Sequence, residues 1–152
     1  MDGGNRYFKG MAAGLVATVV LSAIMLVKAN MGIMPELDVI KMLNTMLDGG
    51  NPAVGWAAHF MIGTVVWGLL FAAISRPGLE GYWWRGVLVG VGAWFLMMVI
   101  VMPMAGASVF GLNLGIMAPV MTLMLHLIYG AVLGAVYGAL LKSSHAQPVV
   151  AH

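Results

Sequence analysis

The amino-acid sequence predicts an all-α integral membrane protein, a four-helix bundle made of two tandem two-helix repeats with a short interfacial helix after the first span. Three observations lead there. Of 152 residues, 62% are hydrophobic and 8% charged, and a mean hydropathy of +0.99 is too high for a soluble globular domain. No Asp, Glu, Lys or Arg occurs from Gly86 to Leu141, so that run needs lipid as its solvent. The pattern P-x6-H-x3-G appears twice, at Pro52, His59, Gly63 and at Pro119, His126, Gly130, with the histidines 67 positions apart (59 to 126).

The first span, about residues 8–29, opens beside Arg6 and Lys9 and closes at Lys28 and Asn30. At roughly 1.5 Å per residue it crosses a hydrocarbon core of about 30 Å. Its basic start and the Val27-Lys28-Ala29 site have signal-peptide character, but the apolar stretch is too long for one, and a retained helix is expected. In the next segment Leu37, Ile40, Leu43 and Leu47 are interleaved with Glu36, Asp38, Lys41 and Asn44. That spacing predicts an interfacial helix over 35–47, begun by Pro35 and stopped by Asp48-Gly49-Gly50-Asn51.

Pro52 opens the second span, 52–74, which ends at Ser75-Arg76-Pro77-Gly78. Tyr82-Trp83-Trp84-Arg85 reads as an aromatic and basic interface anchor ahead of the third span, 86–102. Pro103 is expected to end or kink that helix, and the residues up to Gly115 to form a return loop. The fourth span, 117–141, is followed by Lys142 and a polar tail, Ser143 to His152. One transmembrane domain therefore fills the chain.

With four crossings, Arg6, Lys9, Arg76, Arg85 and Lys142 share one side, and the positive-inside rule places both termini in the cytoplasm. Lys9-Gly10-x3-Gly14 recurs as Arg85-Gly86-x3-Gly90, which sets the repeats at about 6–75 and 82–141. Each unit crosses twice, so the copies share an orientation and are related by a pseudo-twofold along the membrane normal. Rows of small residues, Gly10, Gly14, Thr18 and Ser22 on the first helix and Gly130, Gly134 and Gly138 on the last, predict close helix approach. Thr122, His126, Gly130 and Gly134 share a face, which turns His126 toward a neighbouring helix rather than lipid.

The Lys9-Gly10 start, Met34-Pro35-Glu36-Leu37, His59 with Gly63 and Trp67, and Met102-Pro103-Met104-Ala105-Gly106 give the chain a resemblance. From about Tyr7 to Leu141 it resembles an uncharacterised family of small bacterial four-helix integral membrane proteins. The resemblance implies a multi-pass protein of the bacterial inner membrane. It attaches no activity and no site residues.

Two sets of side chains are candidates for binding. His59 and His126 lie about 10 Å below the outer face, at matching depth on their helices. Such a pair could clamp haem b from both sides, with Gly63 and Gly130 leaving room for the macrocycle. A duplication also copies any histidine, ligand or not, and the structural alternative is two neutral rings hydrogen-bonded to Thr122, to a backbone carbonyl or to a neighbouring helix. Methionine is frequent, 15 residues, and Met121, Met124 and His126 form a candidate copper set because thioethers suit Cu(I). Methionine filling gaps between helices is the alternative there. Neither haem nor copper is preferred to no cofactor.

The absence of cysteine excludes disulfides, iron–sulfur clusters and thiolate metal sites. Without ionisable residues deep in the spans, an ion-coupled transporter of the usual kind is not expected. No basic patch points to nucleic acid, and no nucleophile–base arrangement points to an enzyme. The expected function is a non-enzymatic accessory or assembly subunit of a larger membrane complex, such as a respiratory one, with lipid and other membrane subunits or its own copies as partners. The alternatives are a haem b or Cu(I) binding protein using the paired histidines, or a small oligomeric pore or transporter.

Overall fold

The computed structural model describes residues 3–47, 49–76, 78 and 80–145. Asp48, Pro77 and the tail from residue 146 onward, which the sequence assigns to loops and a polar terminus, lie outside the described residues. Among the described residues there are five principal helices: α1 (Gly3–Asn30), α2 (Val39–Met46), α3 (Ala53–Ile74), α4 (Tyr82–Met104) and α5 (Met117–His145). All but α2 are long and apolar enough to cross a membrane.

Glycine sets the pairing within each hairpin. Gly10 near the start of α1 lies against Gly68 and Ala72 near the end of α3, and Gly14 lies against Gly63 and Thr64. On the other hairpin Gly86 is pressed onto Gly130 and Gly134, and Gly90 onto the His126 carbonyl. A Cβ at Gly86 would sit 2.8 Å from the Gly134 nitrogen and 2.9 Å from its Cα. Lipid is as apolar as the helix surfaces, so association depends on close packing, and the missing side chains permit it. The central helices α1 and α5 join the two hairpins through Ala13, Ala17 and Leu21 against Leu125, Tyr129, Leu133 and Tyr137, with Phe71 of α3 completing the cluster.

These antiparallel contacts gather Arg6, Lys9, Arg76, Arg85 and Lys142 at one end and Lys28, Glu36, Asp38 and Lys41 at the other. At the second end the chain folds back over the bundle. Lys28, in the last turn of α1, donates to the carbonyls of Ile33, Met34 and Leu37 at 3.0–3.1 Å and so fixes the turn that leads to α2. Leu37 is buried there with Met97, Met98, Met102 and Ala118.

Two local expectations change, and the one for Pro103 gains its geometry. The interfacial helix begins at Val39 rather than Pro35, because Asp38 caps it by accepting from the Lys41 amide at 2.9 Å. Residues Pro35 to Leu37 are spent in a turn closed by the Leu37 amide on the Met34 carbonyl. Helix α4 begins at Tyr82, so the aromatic anchor forms its first turn. Pro103 lies in the final turn of α4, directly after a π-helical stretch, Met97–Val101, where the Met102 amide bonds the Met97 carbonyl five residues back. A proline ring crowds the carbonyl four residues before it, here that of Val99, and the widened turn accommodates it.

Candidate functional site

Below α2 the helices part around a cavity of about 280 Å³. Thr18, Leu21 and Met25 of α1 and Leu125, His126 and Tyr129 of α5 form its back. Val39 and Leu43 of α2 form its roof. Its sides are His59, Ile62, Gly63, Val66 and Trp67 of α3 and Ala93, Leu96, Met97, Ile100 and Val101 of α4. The α1 and α5 walls are largely buried, whereas Val66 is 51% and Leu96 46% exposed, so the cavity opens sideways between α3 and α4. In a bilayer that opening faces lipid.

Both flanking helices are π-helical beside the opening, Met61–Val66 in α3 and Met97–Val101 in α4. Each of these turns supplies three cavity-lining residues. The π turn is rare and concentrates at functional sites, since it trades regular backbone hydrogen bonding for a displaced wall. In α3 the cost is offset locally: the Tyr129 hydroxyl, reaching across from α5, donates to the Gly63 carbonyl.

The sequence-predicted histidines both line this cavity. His59 is 9% exposed, and its Nε2 lies 3.2 Å from the Ser22 hydroxyl on α1. Ser22 is the last member of the small-residue row Gly10, Gly14, Thr18, Ser22, which faces α3 along its whole length. His126 keeps its hydrogen bond within α5, its Nδ1 lying 2.8 Å from the Thr122 carbonyl. Trp56 and Phe60 pack edge-on around His59. The two prolines of the repeated pattern start helices: Pro52 is the residue before α3 and Pro119 lies in the first turn of α5.

The proposed copper set is not brought together. Met124 is 56% exposed on the outer surface of α5, and Met121 packs into the Leu37, Met98 and Met102 cluster, while His126 faces the cavity. The methionines that do share the cavity with the histidines are Met25 and Met97, which sequence proximity did not suggest. Among the described residues no three His, Cys, Asp or Glu side chains gather in a metal-binding group. Ser22 was legible as the end of the row that meets α3; Met25, Met97 and Tyr129 carried no comparable signal.

No curated protein and no solved structure matches the chain. Residues 4–147 match the model of a family of unknown function, DUF6789, and the chain belongs to that family.

Proposed function

We propose that this is a non-enzymatic membrane protein that binds a small lipid-soluble molecule taken up sideways from the bilayer. The observation that carries this reading is the apolar cavity under α2, open between two π-distorted helices and furnished with two histidines in its wall. A cavity of this kind suits an amphipathic occupant, whose apolar part leaves through the gap while its polar head meets the imidazoles. Native mass spectrometry of the protein released from its membrane is the test. A bound mass is expected, and Val66→Trp, which obstructs the entrance, is expected to lower its occupancy. Bare protein in the wild type, or equal occupancy in the blocked variant, overturns the reading.

A second reading, an accessory or assembly subunit of a larger membrane complex, is favoured by the α4–α5 connection. Val109, Leu112 and Ile116 are exposed there beside Met104 and Met117, an apolar end surface suited to another membrane subunit. Native electrophoresis of gently solubilised membranes tests it, and migration as the lone chain counts against it.

In either reading the two hairpins are tandem copies, and the protein lies in a bacterial inner membrane with both termini cytoplasmic. The chain has no cysteine, so single cysteines can be placed cleanly. Lys142→Cys is expected to react with an impermeant thiol reagent only after the cells are opened, and Lys41→Cys in intact spheroplasts; the reverse pattern inverts the topology.

A further inference from the structure

We propose that the cavity selects a head group bearing phenolic hydroxyls, of the hydroquinone class, because its histidines present bare nitrogens as hydrogen-bond acceptors. This rests on the lateral binding reading above and names the chemistry of its ligand.

The tautomers follow from the partners. A carbonyl oxygen only accepts, so the 2.8 Å contact between Nδ1 of His126 and the Thr122 carbonyl puts the proton on Nδ1 and leaves Nε2 bare. Ser22 has one hydroxyl proton, donated to the Thr18 carbonyl at 2.7 Å. Its oxygen therefore accepts from His59, which fixes the proton on Nε2 and leaves Nδ1 bare. A charged imidazolium is disfavoured at this depth, so the rings stay neutral and keep one lone-pair nitrogen each.

Two hydroxyls of the wall strengthen this bias. The Thr18 hydroxyl is donated to the Gly14 carbonyl, and that of Tyr129 to Gly63. No Lys or Arg lines the cavity, so an ionised carboxylate or phosphate head has no counter-charge. A quinone, which offers only carbonyl acceptors, would set lone pair against lone pair. A hydroquinone stays neutral, since a phenol ionises only near pH 10, and it carries two donors on one ring for acceptors on the α3 and α5 walls. Trp67 and Tyr129 provide aromatic surface for that ring, and an isoprenoid or alkyl tail fits the gap beside Val66 and Leu96.

The test uses the full chain in lipid nanodiscs and three probes: a short-tailed benzoquinol kept reduced without oxygen, its dimethyl ether, and the matching quinone. The quinol is expected to bind about tenfold or more tightly than the other two, the worth of a hydrogen bond made away from water. His126→Ala is expected to lower the quinol's preference over the ether, and His126→Ala combined with His59→Ala to abolish it, while the ether's own binding is unchanged. His126→Gln, which restores an acceptor, should recover part of the preference. Equal binding of all three probes, blocked by Val66→Trp, overturns the hydroquinone assignment and leaves lateral binding standing. Equal weakening of all three by His126→Ala also overturns it. Failure of every probe to bind, together with bare protein by native mass spectrometry, overturns both.

Discussion

At the end that carries Arg6, Arg76 and Lys142 the helices touch backbone to backbone, whereas under α2 they part around a cavity. The closed end is made by Gly10 on Gly68 and Gly86 on Gly134, with Tyr137 and Phe71 stacked edge to face at 5.3 Å between the hairpins. At the open end α3 and α4 line the gap with Ile62, Val66, Leu96 and Ile100, and both helices widen there into π turns. The comparison teaches that apolarity alone does not bring membrane helices together. Contact follows the small residues.

The largest expected effect comes from breaking the closed end. Gly86→Val would place side-chain carbons where the Gly130 carbonyl and Gly134 backbone already lie. It is expected to destabilise the fold by about 3 kcal/mol, the upper part of the range for overpacking, because the obstacle is backbone and cannot rotate away. Unfolding by sodium dodecyl sulfate in mixed micelles measures this. A loss below the scatter of the assay would mean that the α4–α5 seam is not what holds the hairpin.

Most of the closed end was legible in the sequence, because glycine at intervals of four is a signal of contact whatever the partner. The spans were legible from hydropathy, and so was the histidine pair. The open end was less so. A transmembrane helix is apolar on every side, so nothing in the sequence distinguishes Met97, which lines the cavity, from Leu88, which faces outward. The grouping of Met124 with His126 relied on nearness along the chain, but two residues turn a helix by about 200° and send the side chains to opposite sides. The start of α2 was misplaced because Pro35 and Asp38 are both good helix openers, and the capping carboxylate of Asp38 wins. The π turn of α3, where Thr18 lies against Gly63, depends on how the helix meets its neighbour, and pattern alone does not carry that, whereas Pro103 did mark the disturbed end of α4.

Two smaller substitutions probe the boundary between the ends. Tyr129→Phe removes the hydroxyl that the Gly63 carbonyl accepts in the π turn of α3. A cost of about 1 kcal/mol is expected, with faster amide exchange confined to residues near Gly63; uniform exchange along α3 would separate the tyrosine from the π turn. Ser22→Ala removes the partner of His59 on α1, and interhelical hydrogen bonds in membranes average about 0.6 kcal/mol. Its clearer readout is nitrogen-15 NMR of the His59 ring: with Ser22 the proton is expected on Nε2, and in the variant both tautomers should appear. An unchanged ring spectrum would show that Ser22 does not set the tautomer.

The smallest effect makes the sharpest test of the comparison. Gly92 lies on the same helix as Gly86 and Gly90, yet a Cβ there meets no atom within 4 Å. If glycine in this protein served to loosen the helices, Gly92→Ala would matter as much as substitution at the seam. If glycine matters only where backbones touch, Gly92→Ala changes stability by no more than about 0.5 kcal/mol, with alanine's better helix propensity tending to raise it. Side by side in the same micelles, Gly86→Val and Gly92→Ala should therefore differ by more than any other pair of glycine substitutions on α4. A comparable loss at both positions would mean that glycine acts through the helix itself and not through the backbone contact at the seam.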